Sequence, residues 1–216
     1  MKIIVLGTGN VGRTLAPAFQ RIGHEVLVGT RDPGATRDRE DWPADWPAEI
    51  GLVPYGGVPR DADVIVNATN GNAALSALGA VGSDVLAGKV VLDVANPLDF
   101  SAGFPPTLTV KDTDSLAEEL QRAFPEALVA KTLNTVTAAV MVDPALVGDG
   151  STTMFVASDH GEARSSACEL LEALGWRDIV VFEELSAARG MEMWLPLWVR
   201  LMGRFGTAEF NLKLVR

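Results

Sequence analysis

A glycine-rich segment near the start of the chain separates two stretches with different hydrophobic periods. Residues 3–6 form the continuous apolar run Ile-Ile-Val-Leu, which is typical of a strand buried on both faces of a parallel sheet. After the glycines, apolar side chains recur every three or four residues, as on one face of a helix; they are Val11, Leu15, Phe19 and Ile22. A second apolar run follows at 25–28. This succession predicts a βαβ unit. Because Pro17 lies inside the predicted helix, we expect that helix to be kinked or short.

The glycine-rich segment has the spacing G-x-G-x-x-G. It consists of Gly7, Thr8, Gly9, Asn10, Val11 and Gly12. Between a buried strand and a helix, this spacing indicates a dinucleotide site, because each glycine has its own task. Gly7 permits the tight turn, Gly9 lets the backbone approach a pyrophosphate, and Gly12 lets the helix pack closely on the strand. Free amides at the positive end of the helix dipole would hold the pyrophosphate. A purely structural glycine turn is the alternative interpretation.

The end of the second strand decides which dinucleotide is bound. An NAD site usually has an Asp or Glu there, which bonds the ribose 2′-hydroxyl and would repel a 2′-phosphate. Here Thr30 offers a hydroxyl and Arg31 a planar guanidinium, a combination that suits phosphate. Arg37 is a further candidate for this contact. Asp32 stands one residue later than the usual acid and could pair with an arginine. We therefore predict NADP rather than NAD.

Three further predicted strands end in short loops that contain Asn. The loops are Asn67-Ala68-Thr69-Asn70, Ala95-Asn96-Pro97-Leu98 and Leu133-Asn134-Thr135. Ligands of parallel α/β sheets bind outside the carboxyl ends of the strands. The amides and hydroxyls of these loops could hydrogen-bond a ribose or a carboxamide, although the same residue types are common in turns. Because three such loops share one sheet edge, we expect them to line the site. The candidate residues are Asn67, Ala68, Thr69, Ala95, Asn96, Pro97 and Asn134.

Strands and helices alternate to the end of the chain. Further strands are predicted at 50–53, 63–68, 89–94, 128–133, 153–157, 178–182 and 210–214, and further helices at 72–78, 115–123, 159–174 and 184–205. Two of these helices open with capping-box spacing, Ser115 with Glu118 and Asp159 with Glu162. The alternation predicts an α/β fold with a Rossmann-like, doubly wound, mostly parallel sheet. We predict an NADP-binding domain at 1–150 and a small α/β C-terminal extension at 151–216.

The charge balance of the chain argues against two classes of partner. Its 216 residues include 28 Asp and Glu against 18 Lys and Arg, a formal net charge of −10. A field of that sign repels phosphate backbones and anionic lipids, so we expect neither nucleic-acid nor membrane binding. No apolar run approaches the roughly 18 residues of a membrane span or resembles a signal peptide, and we expect a cytoplasmic protein. With one cysteine, Cys168, and no Cys/His cluster, neither a disulfide nor a metal site is predicted.

No side chain stands out as an acid–base catalyst. His24 and His160 occupy positions typical of surface or capping residues, and the single tyrosine, Tyr55, lies in an irregular segment. Lys131 precedes one of the candidate loops, so it is either catalytic or a strand residue that points to solvent. We therefore predict no catalytic residue.

The short chain leaves little room for a separate substrate domain. Hydride transfer between two redox cofactors needs none, since it chiefly requires two rings held at the right distance in a dry cleft. The last third carries an apolar helical stripe of Met191, Trp194, Leu195, Trp198, Leu201, Met202 and Phe205, in a helix that Pro196 should interrupt. We interpret the stripe first as core or dimer interface and second as a ring-binding wall. The loop at 38–48 contains Trp42 and Trp46, which we expect to cap a hydrophobic edge rather than to bind a ligand.

With these residues assembled, the chain resembles the F420-dependent NADP oxidoreductases, which are NADPH-dependent reductases of the deazaflavin coenzyme F420. The resemblance rests on the glycine motif and on segments 29–32 (GTRD), 93–98 (DVANPL), 131–136 (KTLNTV), 188–192 (ARGME), 195–198 (LPLW) and 210–216 (FNLKLVR). It implies a Rossmann-like domain with a small C-terminal extension, usually in a homodimer. The residues implied to hold the 2′-phosphate are Thr30 and Arg31. Those implied to surround the nicotinamide and deazaflavin rings are Ala95, Asn96, Pro97 and Asn134.

The resemblance implies hydride transfer between NADP(H) and coenzyme F420. Two alternatives stay open. One is an NADPH-dependent reductase of another acceptor, such as a flavin, quinone, ferric chelate or imine, because the wider family includes ferric-reductase domains. The other is a non-catalytic NADP(H)-binding regulatory module.

Overall fold

The computed structural model describes residues 1–215; Arg216, the end of the segment 210–216, lies outside it. The fold is built around one large sheet. Its eight strands are β1 (Lys2–Leu6), β2 (Glu25–Thr30), β3 (Gly51–Pro54), β4 (Val64–Asn67), β5 (Val90–Asp93), β8 (Leu128–Thr132), β9 (Thr153–Ala157) and β10 (Asp178–Phe182). A separate hairpin pairs β6 (Leu98–Asp99) with β7 (Thr107–Leu108). β1 is buried on both faces, because Ile3 and Val5 enter one core and Ile4 and Leu6 the other.

The strand order is β10-β9-β8-β5-β4-β1-β2-β3. All neighbours are parallel except β8 and β9, which are antiparallel. The order reverses at β1, since β2 lies on one side of it and β4 on the other. Ligands bind at such a switch point, in the crevice outside the carboxyl ends of the strands. The predicted Rossmann-like, mostly parallel fold is confirmed.

Helices cover both faces of the sheet. They are α1 (Asn10–Arg21), α2 (Pro33–Arg37), α3 (Ala74–Val81), α4 (Ser83–Leu86), α5 (Leu116–Ala123), α6 (Ala138–Val142), α7 (Gly161–Ala173), α8 (Ala188–Met193) and α9 (Leu195–Phe205). α1 and α7 bury Leu15, Phe19 and Leu170 in one core. α3 and α5 bury Leu78 and Leu120 in the other. The fold is therefore wound on both sides, as predicted.

The two prolines that lie inside predicted helices, Pro17 and Pro196, affect those helices differently. Of the two expected effects of Pro17, a kink or a short helix, the short helix is not found, because α1 runs for 12 residues with Pro17 inside it. Tertiary packing supplies most helix stability, and Leu15 and Phe19 anchor this helix on either side of the proline. The predicted helix at 184–205 is divided into a 3₁₀ turn (Leu185–Ala187), α8 and α9. Pro196 lies in the first turn of α9, where its missing N–H leaves no helical bond unmade.

Of the two helices with capping-box spacing, only α5 has a side-chain cap, and its box is incomplete because the Ser115 amide donates to Asp114 Oδ1 and not to Glu118. Ser115 Oγ accepts from the amide of Glu118 at 3.2 Å, at the start of α5. Asp159 does not cap α7, which has His160 at its N-cap and no side-chain cap. Its carboxylate instead accepts from the amide of Leu185 at 2.8 Å, a partner far along the chain.

The last segment does not form the strand predicted at 210–214. It follows β9 through a few bonds: the amide of Thr153 donates to the carbonyl of Leu212 at 2.9 Å, and the amide of Leu214 donates to Thr153 Oγ1 at 3.0 Å. The sheet itself continues past residue 150, because β9 and β10 belong to it. The division into 1–150 and 151–216 stays a prediction.

The tryptophans of the 38–48 loop close a hydrophobic edge, as expected. Trp46 packs against the core on the α1 side of the sheet, and its indole N–H donates to the carbonyl of Ile50 at 2.9 Å. The Trp42 ring lies 4.7 Å from the Trp46 ring, centroid to centroid.

Candidate functional site

The glycine elbow between β1 and α1 contains two kinds of glycine. Gly7 has φ 113°, in the left-handed region that favours glycine, and a Cβ there would lie 2.5 Å from the carbonyl oxygen of Ala68. A Cβ on Gly12 would lie 2.1 Å from the carbonyl oxygen of Gly7. A Cβ on Gly9 would have no heavy atom within 4 Å. The fold itself therefore requires Gly7 and Gly12, whereas the open space at Gly9 suits the approach of a ligand.

The N-terminus of α1 is free to receive an anion. Its N-cap residue, Gly9, provides no side-chain cap, and no acidic residue lies in the first turn. The first amides of a helix lack intrahelical partners and carry the positive end of the helix dipole. The elbow therefore has the geometry of a pyrophosphate site.

A cleft of about 800 Å³ extends from this elbow to the end of β2. Its lining includes the predicted residues Gly7, Thr8, Gly9, Thr30, Arg31, Ala68 and Thr69. Thr30 is buried, and its hydroxyl lies 2.8 Å from that of Thr36. Asp32 caps α2, where its Oδ1 accepts from the amide of Ala35 at 3.0 Å. Among residues 1–215, Asp32 is thus a helix cap and makes no ion pair with an arginine.

The second arginine of the cleft is Arg39 and not the predicted Arg37. Arg37 lies in a separate groove with Trp42 and Trp46. Arg39, which sequence reasoning missed, lines the cleft beside Arg31. Its Nη1 donates to Thr8 Oγ1 at 3.0 Å, and its Nε and Nη2 donate to the carboxylate of Asp41 at 2.8 and 2.7 Å. The five-residue helix α2, which was not predicted from the sequence, ends at Arg37, two residues before Arg39.

The cleft continues into an inner cavity of about 290 Å³. Both spaces share Ala68, Thr69 and Asn70. The predicted residues Asn10, Val11, Ala95, Asn96 and Asn134 line the cavity. Its other walls include Phe100, Met141, Leu195 and Trp198, of which Leu195 and Trp198 belong to the predicted apolar stripe. The structure thus brings three strand-end loops and the C-terminal helix to one site.

Two predicted residues lie behind the cavity and do not line it. Asn67 is fully buried; its Nδ2 donates to Asp93 Oδ1 at 2.8 Å, and its Oδ1 accepts from Thr69 Oγ1 at 2.7 Å. Pro97 is buried, and its carbonyl accepts from the amide of Thr109 at 2.8 Å. Both residues therefore support the cavity loops from behind.

A pair of asparagines forms the polar wall of the cavity. Asn134 Nδ2 donates to Asn96 Oδ1 at 2.9 Å and to the carbonyl of Met191 at 3.0 Å, and Asn96 Nδ2 donates to the carbonyl of Asn134 at 2.9 Å. Leu133 has φ 59°, an uncommon backbone conformation for leucine that is found at functional sites. Asn134 Oδ1 and the indole N–H of Trp198 are buried without a partner in residues 1–215. Because buried polar groups are normally satisfied, these two atoms fit a ligand that carries both a donor and an acceptor.

Among residues 1–215, no acid–base side chain lines the cavity. Burial and the N-terminal ammonium lower the pKa of His24, which lies 3.3 Å from that ammonium. His160 Nε2 lies 3.1 Å from Gln121 Oε1. Burial raises the pKa of the half-buried Cys168, which favours the neutral thiol. Lys131 is fully buried and does not point to solvent, which corrects one of the two expectations for it.

Two further features are absent from residues 1–215. No group of three or more His, Cys, Asp or Glu side chains is arranged to hold a metal ion. No helix has the length and hydrophobicity needed to span a bilayer.

The chain is similar to known proteins over its full length. The family described as "NADP oxidoreductase coenzyme F420-dependent" matches residues 2–97. A solved structure from Arthrobacter sp. FB24, provisionally assigned as an F420-dependent NADP reductase, is 48% identical and superposes over 100% of both chains with a TM-score of 0.96. The chain belongs to the F420-dependent NADP oxidoreductase family. It is therefore an NADP-dependent oxidoreductase.

Two more distant relatives of this oxidoreductase are named for different activities. The F420-dependent NADP reductase of Methanothermobacter marburgensis is 28% identical over 209 residues, which cover 93% of this chain and 92% of the relative. Metalloreductase STEAP3 of Rattus norvegicus is 27% identical over 202 residues, which cover 91% of this chain but only 38% of the relative. The similarity therefore extends over nearly the whole oxidoreductase in both cases.

Replacing Asn134 by Ala tests the polar wall of the cavity. The change removes two side-chain hydrogen bonds, each worth about 1 kcal/mol, so we expect a loss of about 2 kcal/mol in unfolding free energy. We also expect NADPH affinity to fall by about tenfold, one lost contact of about 1.4 kcal/mol. Calorimetric titration and denaturant unfolding measure the two effects.

Asn211→Ala is the matched control for Asn134→Ala. Asn211 Nδ2 also donates two hydrogen bonds, to Thr152 Oγ1 at 3.1 Å and to the carbonyl of Thr153 at 3.0 Å, and its Oδ1 is also buried without a partner in residues 1–215. It lies outside the cleft and the cavity. We expect a similar loss of stability with unchanged NADPH affinity. Equal affinity losses in the two variants would rule out a ligand contact for Asn134.

Proposed function

We propose that this enzyme transfers a hydride directly between NADP(H) and the deazaflavin ring of coenzyme F420. The observation that carries the proposal is the continuity of the cleft. The glycine elbow and two cationic side chains line a cleft that adjoins the inner cavity, and the described residues of that cavity form an asparagine wall with apolar side chains and no acid–base group.

The outer part of the cleft would bind the phosphates of NADP(H). The α1 amides would hold the pyrophosphate at the open side of Gly9. Arg31 and Arg39 would pair with the 2′-phosphate, since guanidinium–phosphate bonds are charge-assisted and often bidentate. Thr30, beneath them, would orient this end of the site through its bond to Thr36. NADP(H) and F420 supply the redox chemistry when bound, because hydride transfer is a reaction of their rings.

The inner cavity would orient the nicotinamide. Asn134 Oδ1 would accept from the carboxamide N–H₂, and the Trp198 indole would donate to a ligand oxygen, which would satisfy both unpartnered atoms. Ala95 and Asn96 would contact the edge of the ring. Asn67 and Pro97 would keep these loops in place from behind.

The second ring would lie against the apolar C-terminal wall. Leu195 and Trp198 come from α9, and Phe100 comes from the segment after β6. Such a wall would give the second ring an apolar surface to pack on, which favours direct transfer between aligned rings. In the balanced reaction, NADPH loses a hydride and becomes NADP⁺, while oxidised F420 gains that hydride at a ring carbon and one proton at a ring nitrogen. The proton would come from solvent, because none of the described residues that line the cavity is an acid.

The names of two relatives support F420 as the second substrate. They are the Arthrobacter and Methanothermobacter proteins, both named for F420-dependent NADP reduction. The metalloreductase named among the relatives makes a ferric chelate the second candidate acceptor. With this function we propose a homodimer in the cytoplasm.

The test is an absorbance assay with purified enzyme, NADPH and oxidised F420. We expect NADPH-dependent loss of the F420 absorbance, and the reverse reaction when reduced F420 and NADP⁺ are supplied. Reduction of a ferric chelate without reduction of F420 would reject F420 in favour of the second candidate. Saturable NADPH binding without turnover of F420, a flavin, a quinone, an imine or a ferric chelate would instead indicate a regulatory NADP(H)-binding protein.

A further inference from the structure

A buried charge cluster lies directly behind the inner cavity. Lys131 on β8 and Asp93 on β5 are both 0% exposed, and Glu192 on α8 is 1% exposed. The Lys131 ammonium lies 2.7 Å from Asp93 Oδ2 and 2.7 Å from Glu192 Oε1. It also donates to the carbonyl of Ala95.

Lys131 stays protonated in this environment. Burial by itself lowers the pKa of Lys131, but the carboxylates of Asp93 and Glu192 outweigh it and raise that pKa above its ordinary value. Burial raises the pKa of Glu192, although the Lys131 ammonium opposes the shift. Glu192 also accepts from the first amides of α5, those of Leu116 at 2.9 Å and Ala117 at 3.3 Å.

The cluster holds the cavity loops by their backbone. Asp93 Oδ1 accepts from the amide of Ala95 at 3.2 Å, while Lys131 binds the carbonyl of the same residue. Asp93 Oδ1 also accepts from Asn67 Nδ2, and Asn67 in turn accepts from the hydroxyl of Thr69. Ala95 and Thr69 both line the cavity. Both backbone polar groups of Ala95 are thus fixed from behind.

Stability alone does not account for such a cluster. Replacing a buried ionic group by apolar residues of similar volume is often neutral or stabilising, because burial of charge is costly. An apolar side chain at position 131, however, could not satisfy the Ala95 carbonyl.

We propose that Lys131 is a positioning residue for the nicotinamide half of the site. It fixes the Ala95 carbonyl and, through Asp93 and Asn67, the Thr69 loop. This inference rests on the proposed function only in taking the inner cavity as the place of the nicotinamide. It predicts that loss of the lysine weakens binding of the nicotinamide half and leaves binding of the phosphate half intact.

The test compares two ligands in calorimetric titrations of Lys131→Met. NADPH fills both halves of the site, whereas 2′,5′-ADP fills only the adenosine and phosphate half. We expect the dissociation constant for NADPH to rise at least tenfold and that for 2′,5′-ADP to change less than twofold. A merely structural role would change both constants together or neither.

Glu192→Gln controls for damage to the cluster. Glu192 touches the same ammonium, but its other hydrogen bonds go to Leu116 and Ala117 and not to the cavity loops. We expect this variant to unfold at a lower temperature and to keep the wild-type ratio of the two dissociation constants. An equal change of that ratio in Lys131→Met and Glu192→Gln would overturn the inference.

The double variant Lys131→Met/Glu192→Gln keeps the test decisive if Lys131→Met does not fold. It carries the same formal net charge as the wild-type cluster, one unit less negative than Lys131→Met alone, yet it still lacks a donor to Ala95. We expect the same selective loss of NADPH affinity. Wild-type affinity for NADPH in the double variant would overturn the inference. Neither titration uses F420. Failure of the wild type to reduce F420 would therefore reject the proposed function without affecting the test of Lys131.

Discussion

Arg31→Asp is expected to lower the ratio of NADP to NAD affinity by at least 100-fold. The guanidinium lines the outer cleft beside Thr30, and a hydrogen bond to a charged group contributes about 1.5–3 kcal/mol. The new carboxylate would add repulsion of the 2′-phosphate and could bond the 2′-hydroxyl of NAD, as in ordinary NAD sites. A combined effect near 3 kcal/mol corresponds to about 100-fold, because each 1.4 kcal/mol is tenfold. Titration of both nucleotides gives the ratio.

Arg37→Asp is the matched control, because it makes the same change in net charge six residues along the chain. Arg37 lies in the groove with Trp42 and not in the cleft. We expect the ratio to stay within about twofold of wild type, since Arg37 is exposed and salt screens the interactions of exposed charges. An unchanged ratio in Arg31→Asp, or an equal change in both variants, would show that Arg31 does not recognise the 2′-phosphate.

Gly12→Ala is expected to damage the fold and the nucleotide site together. The new Cβ would lie 2.1 Å from the carbonyl oxygen of Gly7, so β1 and α1 would have to move apart. Overpacking typically costs about 1–3 kcal/mol and occasionally more. For a chain of this size, 3 kcal/mol corresponds to a fall of about 6–12 °C in Tm. We expect that fall in calorimetry, together with loss of measurable NADPH binding.

Gly9→Ala separates the ligand from the fold in the same motif. Gly9 has φ −80°, which any residue can adopt, and its Cβ would meet no atom within 4 Å. We expect a Tm within about 2 °C of wild type and NADPH affinity reduced at least tenfold, because the methyl group would occupy the approach to the pyrophosphate. Wild-type affinity in Gly9→Ala would mean that the elbow does not hold a pyrophosphate.

The local parts of the fold and the site could be predicted from sequence because they depend on neighbouring residues. The strand–elbow–helix unit follows from a change of period around Gly7, Gly9 and Gly12. Strand-end loops followed from the apolar runs before them, and the structure places Ala95, Asn96 and Asn134 around one cavity. The Ser115 cap formed for the same reason, since both of its partners lie within one helical turn.

The remaining features depend on distant partners. Lys131 is buried because Asp93 and Glu192 meet it from two other elements, and no period in the sequence brings those three residues together. Asp159 does not cap α7, because its carboxylate accepts a hydrogen bond from the amide of Leu185. Arg39 reaches the cleft, where Arg37 was predicted, because α2 ends after five residues. Each of these outcomes is set by tertiary contacts rather than by local propensity.

Isotope transfer tests direct hydride transfer most directly. The enzyme would be mixed with oxidised F420 and with NADPH deuterated at C4, in two preparations that carry the label on opposite faces of the ring. One preparation is expected to give reduced F420 with one deuterium on a ring carbon and no label in the water, because a hydride that passes directly from C4 of NADPH to that carbon does not exchange with water. Reduced F420 without deuterium from both preparations, or NADPH that remains unoxidised, would contradict direct transfer.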